Sequence, residues 1–336
     1  MPDPAGPASN ASNASNASPA DPSDEQRHAP TEEALWSESW YLDFFDPEQG
    51  IGGYVRLGLY PGLQTAWFWA CVVGPDRQLV TVIDHDVAIP PGRSHEIRTE
   101  GLWADYTVET ALDHVSVGVE AFAVGVDDPA EVYGELRGDR VPLGFDLEWE
   151  TDGGSFAYPG VTRYEVPCRV HGEVLVGAER FEIDGFGQRD HSWGVRDWWS
   201  YGWSWTAGRL DDGTRFHGVD VRLGADPLYG TGYVQAPDGT MTAVDQTSHT
   251  TDPDAAGLPT AATWHLGTST RPESGGTEAG GAEALDLTIE PVAFSPVLLT
   301  APDGRLSRFP RAWCRFTAAD GRTGHGWTEW NQPQPG

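Results

Sequence analysis

The sequence contains no lysine: all 21 basic residues of the 336-residue chain are arginine, against 51 aspartates and glutamates, for a formal net charge of −30. A surface this negative repels the phosphate backbone, which disfavours nucleic-acid binding. A GC-rich gene would exchange Lys for Arg, but it would not produce such acidity. We therefore predict a halophilic protein adapted to high salt, where mobile ions screen the carboxylates from one another.

Long apolar runs are also missing. No stretch of about 20 residues is apolar enough to span a bilayer. The sequence also shows no basic segment followed by an apolar one, the pattern of a secretion signal. We therefore expect a cytoplasmic protein without stable membrane insertion. Cys71, Cys168 and Cys314 lie far apart in apolar runs and form no Cys-x-x-Cys pair, which predicts buried free thiols.

Good helix formers are scarce, and only 2 methionines occur, whereas 41 glycines and 26 prolines punctuate short alternating runs. This texture is typical of an all-β protein. Residues 1–30 differ, because they are of low complexity and repeat Asn-Ala-Ser from Asn10, Asn13 and Asn16. We predict a disordered tail there. Its triplets are formal glycosylation sites that a cytoplasmic protein would not use.

An internal repeat divides the remainder of the chain. Trp67-Phe-Trp69 matches Trp203-Ser-Trp205 and Asp84 matches Asp220, both at an offset of 136 residues. Residues 145–150 match 285–290 at an offset of 140, and residues 185–190 match 324–329 at an offset of 139. Four matches in the same order predict a duplication, with an N-terminal β domain over 31–190 and a C-terminal β domain over 191–332. Sheets of this many strands avoid open edges by closing into barrels.

Residues 185–205 combine five Trp, two Arg, two Asp and one His. Neither a surface strand nor a dry core needs this mixture, whereas a concave site with aromatic walls and fixed polar groups does. The Arg and Asp residues suit catalysis or structural ion pairs, and the Trp residues suit a ligand pocket or a barrel core. The predicted binding residues are Arg189, Asp190, Arg196, Asp197, Trp198, Trp203, Trp205 and His217.

The sequence lacks the usual metal and nucleophile signatures. No His-x-His, His-Glu-x-x-His or His-x-x-x-His spacing occurs, and no Gly-x-Ser-x-Gly motif marks a serine nucleophile. A fold could still gather His85, His191, His217, Asp84, Asp86 and Asp220. We expect neither a metal nor a cofactor.

Residues 187–198 read Gly-x-Arg-Asp-His-Ser-Trp-Gly-x-Arg-Asp-Trp, which resembles the central motif of the AttH-like family. That family includes the carotenoid 1,2-hydratases, also called hydroxyneurosporene synthases. The opening residues 52–58 and the closing Gly324-x-Gly326-x-x-Glu329 extend the resemblance over roughly residues 35–330. The resemblance implies two lipocalin-like β-barrels in tandem, in agreement with the repeat.

Carotenoid hydratases carry a His-x-Trp pair and, further on, the Asp of a Tyr-x-Asp pair. His191 and Trp193 match the first pair, and Asp220 follows Trp193 by 27 residues, with Gly218 in place of the Tyr. The resemblance implies that Asp220, desolvated among Trp side chains and kept neutral by a raised pKa, protonates an isolated alkene. His191 would then orient or deprotonate water, while Trp193, Trp203 and Trp205 would stabilise the cation.

The implied partner is an apolar small molecule, isoprenoid or lipid-like. Gly218 in place of the Tyr also suits a non-catalytic carrier or sensor that binds such a ligand in a barrel. A lyase, isomerase or cyclase would use the same aromatic walls and a single acid. The sequence gives no indication of the oligomeric state.

Overall fold

The structure, a computed structural model, describes residues 17–269 and 284–335. The strands of the first half are β1 (Trp36–Asp46), β2 (Ile51–Tyr60), β3 (Thr65–Val73), β4 (Leu79–Val87), β5 (Ile97–Thr99), β6 (Leu102–Thr110), β7 (His114–Val126), β8 (Asp139–Thr151), β9 (Phe156–Ala157), β10 (Arg163–Val176) and β11 (Glu179–Val195). Those of the second half are β12 (Gly202–Leu210), β13 (Arg215–Leu223), β14 (Asp226–Gln235), β15 (Met241–Val244), β16 (Gln246–Pro253), β17 (Pro259–Gly267), β18 (Leu285–Phe294), β19 (Val297–Thr300), β20 (Leu306–Phe309), β21 (Arg311–Ala318) and β22 (Thr323–Pro333). Three short 3₁₀ helices, Pro22–Glu25, Pro61–Leu63 and Pro129–Tyr133, complete the described elements, which include no α-helix.

The first eleven strands form an antiparallel sheet that closes on itself. Its order is β4-β3-β2-β1-β11-β10-β8-β7-β6-β5, and β4 pairs again with β7, where Leu79 is opposite Val126. The strands from β4 round to β7 thus make a barrel, and β5 and β6 extend past the seam. Alternate residues of each strand point inwards, and Trp40, Phe44, Trp149 and Val166 are among those that fill the interior.

The second sheet has the order β15-β14-β13-β12-β22-β21-β18-β17-β16. Its ends approach each other without backbone pairing, and the Thr247 hydroxyl of β16 donates to the Val219 carbonyl of β13 at 2.8 Å. Phe216, Trp264 and Phe316 belong to its own separate core. Two barrel-like antiparallel sheets confirm the predicted all-β, tandem lipocalin-like architecture.

The duplication is visible in the strand order. The last strand of each half lies between the first strand of that half and its own predecessor: β11 between β1 and β10, and β22 between β12 and β21. Two of the four sequence matches pair equivalent strands, β8 with β18 and β11 with β22. The matches at offset 136 were wrong, because they pair β3 with β12 and β4 with β13, which occupy different places. Their Trp-x-Trp patterns recur because both segments face the same aromatic contact between the sheets.

The two sheets pack face to face. Both β1 and β2 are buried over their whole length, because one side of each lines the first barrel and the other faces the second sheet. An aromatic cluster, the intersheet core, fills this contact, and Tyr41, Tyr54, Trp69, Trp205, Trp313 and Trp327 belong to it. The Trp327 indole nitrogen donates to the carbonyl of Phe44 at 3.0 Å, which joins the two halves directly.

The chain crosses from the first sheet to the second between Val195 and Gly202. The predicted division between residues 190 and 191 therefore falls inside β11, and residues 196–201 form the linker between the sheets. That the two halves are separate domains stays a prediction.

The predicted tail needs a correction. Residues 1–16, with the three Asn-Ala-Ser triplets, lie outside the described residues, but residues 17–30 pack on the first barrel. Glu25 is fully buried, and its carboxylate lies 2.8 Å from the buried guanidinium of Arg189. Composition alone suggested disorder there, but the buried Glu25–Arg189 pair and the contacts of His28 with Glu38 and Trp193 anchor the segment.

The three cysteines are free and buried, as predicted. Burial raises the pKa of the Cys71 and Cys168 thiols to about 12, so both are unreactive at neutral pH. Among the described residues, no helix is long and apolar enough to cross a membrane.

Removing the Glu25 charge should destabilise the first barrel. We expect Glu25→Gln to lower the free energy of unfolding by about 3 kcal/mol, because Arg189 is left as a buried charge without a counter-ion. Urea denaturation of Glu25→Gln and of the exposed control Glu32→Gln checks this. Equal stability of the two variants would show that the Glu25–Arg189 pair does not hold the segment.

Candidate functional site

A row of ionisable side chains crosses the face of the first sheet that packs against the second sheet. Strand pairing places Glu165 of β10 opposite Asp190 of β11, Asp190 opposite Tyr41 of β1, and Tyr41 opposite Arg56 of β2. All four residues are buried. The alternation of strand residues selects this face, because the neighbours of Asp190, Arg189 and His191, point into the barrel instead.

Arg163 joins the two carboxylates of this row. Its Nε donates to Glu165 at 2.8 Å, and its NH2 group donates to Asp190 at 2.7 Å. The second sheet closes over this pair, since the Trp205 indole nitrogen donates to Glu165 at 3.0 Å. Gln188 donates to the other Glu165 oxygen at 3.0 Å.

Tyr158 and His217 complete the polar cluster. The Tyr158 hydroxyl lies 2.7 Å from Nε2 of His217 and 3.1 Å from Glu165, and His217 Nδ1 lies 3.0 Å from the Thr206 carbonyl. Burial lowers the pKa of His217 to about 4. The ring is therefore neutral at pH 7, with the Nδ1 proton donated to the carbonyl and Nε2 free to accept from Tyr158.

The two carboxylates of the row differ in acidity. Burial raises the pKa of Asp190 to about 7, which the attraction of Arg163 only partly offsets. Burial opposes ionisation of Glu165 as well, but the attraction of His217, that of Arg163 and the hydrogen bonds from Trp205 and Gln188 outweigh it and lower the pKa of Glu165. Glu165 is thus ionised at pH 7, while Asp190 is poised to give or take a proton.

Asp190 lies toward the open end of the intersheet contact. Beyond it on the same face of β11 come Ser192 and Gly194, and Arg196 follows at the start of the linker; Gly194 and Arg196 are half-buried. On the facing sheet, Trp203, Val221 and Tyr229 pair across three strands and are half-buried too. We call these three residues with Arg163 and Arg196 the mouth. Asp43, the other carboxyl here whose pKa burial raises well above its usual range, lies on the opposite side of Tyr41 from the mouth.

Of the three predicted catalytic residues, His191 and Trp193 come together, with ring centroids 5.1 Å apart, whereas Asp220 lies in the other sheet. His191 and Trp193 point into the first barrel, where His191 stacks on Trp40 with ring centroids 4.5 Å apart and Trp193 stacks on His28 at 3.8 Å. Glu38 lies between the two histidines, 2.8 Å from Nδ1 of His28 and 3.0 Å from Nε2 of His191. Burial lowers the pKa of His191, so its ring is neutral.

Asp220 has different surroundings from those expected of an acid. It faces the interior of the second barrel, where its carboxylate accepts from Arg222 at 2.9 Å and lies 2.8 Å from Nδ1 of His249. Burial opposes its ionisation, but these two partners outweigh burial and lower the pKa of Asp220. The expectation of a raised pKa was wrong, because no pattern along the chain indicates that Arg222 and His249 flank this carboxylate.

The other predicted residues divide between the site and its support. Asp190, Arg196, Trp203, Trp205 and His217 line the intersheet contact. Asp197 instead accepts from the backbone of Trp199 and Ser200 and shapes the linker, Arg189 holds Glu25, and Trp198 packs on Trp203 with ring centroids 4.8 Å apart.

Sequence reasoning missed several residues of the site: Tyr41, Arg56, Tyr158, Arg163 and Glu165. They lie outside the motif, up to 149 residues before Asp190 in the chain. One signal was available, because Arg163 and Glu165 alternate with apolar residues on β10, and buried charges on a strand need partners.

His28, Glu38 and His191 are the residues within the described ranges whose ligand atoms could hold a metal ion, all within 4.8 Å of one another. A metal-bound histidine usually donates its other ring N–H to an acceptor. The Nδ1 atom of His191 is buried without such a partner. The arrangement therefore fits a hydrogen-bonded His–Glu–His cluster better than a metal centre.

Two cavities of the sheets differ in size and lining. Trp40, His95 and Tyr106 line a space of about 10 Å³ in the first barrel, enough for one water. A larger groove of about 400 Å³ follows the seam of the second barrel, lined by Asp220, Tyr229, Asp245 and His265 among others. Neither is a long apolar tunnel.

Comparison with known proteins places the chain in a fold group. A family described as "Domain of unknown function (DUF7064)" matches residues 21–334, and no curated protein matches significantly. Similar solved structures are an AttH of Nitrosomonas europaea (14% identity, 88% of this chain and 92% of that one, TM-score 0.60) and CghA with Sch210972 (11%, 90% and 90%, 0.60). A third is kievitone hydratase from Nectria haematococca (10%, 89% and 90%, 0.55). These likenesses confirm the predicted AttH-like fold.

The raised pKa of Asp190 predicts that the difference in stability between Asp190→Asn and the wild type depends on pH. Because the folded state keeps this proton up to about pH 7, ionisation of Asp190 costs stability progressively as the pH rises from about 4 to 7. Asp190→Asn should gain stability relative to the wild type over that interval, by at most about 1.4 kcal/mol per pH unit. Urea unfolding of both proteins between pH 4 and 8 measures the difference. A constant difference across this range would contradict the raised pKa.

Proposed function

Because the chain belongs to a family of unknown function, DUF7064, its activity is inferred from its site, and we propose a hydratase-like, non-redox enzyme that acts on an apolar small molecule. Its acid is Asp190 rather than Asp220. The observation that carries the proposal is the pair of carboxylates held by Arg163, one with a raised pKa and one with a lowered pKa. Two titratable groups pushed apart in this way are typical of acid–base catalysis.

The proposed reaction adds water to a carbon–carbon double bond. Asp190 gives its proton to one alkene carbon, the oxygen of water bonds to the other, and the proton lost by water returns to Asp190. An alkene and water thus become an alcohol, and no electrons are transferred to or from the substrate. Glu165 keeps Arg163 in place and remains ionised throughout.

The mouth supports an apolar substrate. Trp203, Val221 and Tyr229 present a half-buried apolar row on one side, and the Tyr229 ring stacks against Tyr158 with centroids 6.3 Å apart. An isoprenoid chain suits such apolar walls, and isoprenoids remain the proposed substrate class. The proposed setting of the reaction is a cytoplasm of high salt concentration. The fold shared with kievitone hydratase agrees with this reaction class.

A lipid carrier is less well supported. Ligand pockets for molecules of that size enclose about 300 Å³ or more and are mostly apolar. The space of about 10 Å³ near Trp40 in the first barrel is too small for such a ligand. The groove of the second barrel is large enough, but Asp220, Asp245 and Gln246 line it together with Pro227, Leu228 and Tyr229, so it is not mostly apolar.

Replacing either of the two aspartates, Asp190 or Asp220, by asparagine tests the proposal. We expect Asp190→Asn to lower the hydration rate by about 10²- to 10⁴-fold, the contribution of a positioned general acid, whereas Asp220→Asn should keep most activity. The assay incubates geraniol, farnesol and geranic acid in H₂¹⁸O and detects ¹⁸O-labelled alcohol by mass spectrometry. Wild-type activity should fall as the pH rises through about 7, because Asp190 must carry its proton.

Two results would oppose this assignment. If Asp190→Asn keeps its hydration activity and Asp220→Asn loses it, the acid is Asp220, as the sequence resemblance implies. If no alkene gains ¹⁸O and protein from its own host carries a stoichiometric, unaltered lipid in native mass spectrometry, the carrier function would replace the hydratase.

A further inference from the structure

Arg56 is a buried cation without a carboxylate partner among the described residues. Its side chain is 4% exposed, and its guanidinium lies between two indoles, 4.4 Å from the Trp69 ring centroid and 5.3 Å from that of Trp198. Within the described residues it makes one hydrogen bond, to the Tyr60 hydroxyl at 3.1 Å, and its NH1 group has no partner. The other buried arginines, Arg189, Arg215 and Arg311, each have a carboxylate partner, as does the half-buried Arg163.

The guanidinium of Arg56 leans toward the mouth. A Cβ atom added at Gly58 would lie 2.6 Å from the Arg56 NH1 atom, so the glycine leaves the space that this group occupies. Gly58 and Tyr60 follow Arg56 along the same face of β2, in the direction of the exposed end of β11. The unpartnered donor therefore points away from the deep core.

A second cation, Arg196, lies at the start of the linker. Arg196 lies on the same face of the chain as Asp190, is half-buried, and forms no ion pair with a carboxylate in the described part of the chain. Burial first, and the nearby charges of Arg163 and Arg56, lower the pKa of Arg196 to about 10. Two guanidiniums without an ion-pair partner among the described residues thus lie on the face that carries Asp190, and Arg56 is separated from Asp190 by strand β1.

We propose that the substrate carries a carboxylate, bound by Arg56 and Arg196, with its reactive double bond conjugated to that carboxylate and next to Asp190. This inference rests on the proposed function and narrows it from an apolar alkene to an apolar α,β-unsaturated acid. Guanidinium groups bind carboxylates in paired hydrogen bonds, and a buried cation gains most from a counter-ion that arrives with the ligand.

Electrostatics also decides the order of the bonds formed. Guanidiniums beside the reacting carbons disfavour a carbocation and favour a developing anion. Water oxygen therefore bonds to the β-carbon first, and the π electrons move onto the carboxylate oxygens. Asp190 then gives its proton to the α-carbon, and the proton released by water replaces it on Asp190. The sum is the unsaturated acid plus water giving the β-hydroxy acid.

Matched ligands test this inference by binding alone. The probes are geranate, which has the conjugated carboxylate, and geraniol, which has the same chain without it. Isothermal titration calorimetry at constant ionic strength should show tighter binding of geranate to the wild type, by about 10- to 100-fold. Arg56→Met and Arg196→Met should each lose most of this preference, while Arg308→Met, a half-buried arginine of β20 outside the site, should keep it.

Stability separates a ligand-binding role from a structural one. Arg56→Met should unfold at the same or a higher temperature than the wild type without ligand, because it removes a buried charge that has no counter-ion. A loss of stability together with unchanged geranate preference would assign Arg56 to packing and overturn the inference. Wild-type protein that binds geranate no more tightly than geraniol, and cinnamate no more tightly than cinnamyl alcohol, would also overturn the inference.

Asp190→Asn distinguishes this inference from the proposed function. It should still bind geranate in preference to geraniol, although it turns over neither. Arginine-dependent geranate binding with no hydration by the wild type would retain the ligand class and reject the hydratase. Hydration of geraniol without any preference for geranate would retain the hydratase and reject the carboxylate.

Discussion

The burial of one guanidinium between two carboxylates is the constraint on which the site depends. Arg163 lies between Glu165 and Asp190 in a contact that the second sheet seals with Trp205. One cation cannot fully neutralise two desolvated carboxylates, so one of them keeps its proton. The surroundings of each carboxylate decide which one: Glu165 also interacts with His217 and accepts hydrogen bonds from Trp205 and Gln188, and Asp190 therefore becomes the weaker acid. A buried ion pair of this kind adds little to stability, but it prepares a proton donor near neutral pH.

The duplication shows how the two halves differ in function. Glu329 of β22 is the equivalent of Asp190 of β11, and pairing places Arg311 opposite Glu329 where Glu165 is opposite Asp190. The second half thus has one carboxylate and one guanidinium at this place, which neutralise each other, and their side chains form a buried ion pair. The first half has two carboxylates. The acid arises from this difference, on the same backbone arrangement.

The overall charge of −30 and the charge of the site have opposite signs. Carboxylates are abundant in turns and on exposed strand positions, where water solvates them. The intersheet contact instead gathers Arg56, Arg163, Arg196 and Arg311 near its aromatic core. Arginine suits this place because its planar group stacks on aromatic rings and stays charged when buried. A composition with no lysine therefore also matters inside the protein, where a lysine would lose its proton more readily.

The sequence by itself determined the fold class, the duplication and the segment that carries part of the site. These features rest on local patterns: the strand periodicity, the spacing of glycine and proline, and the 187–198 motif. Local patterns can be recognised without a structure. Only the tertiary structure decided which motif residues share a face. Asp190 and His191 are adjacent in sequence, yet one faces the second sheet and the other the first barrel interior, because successive strand residues point to opposite sides. The acidity of Asp190 and of Asp220 depended on partners from other strands, Arg163 and His249 among them, and no spacing along the chain encodes such contacts.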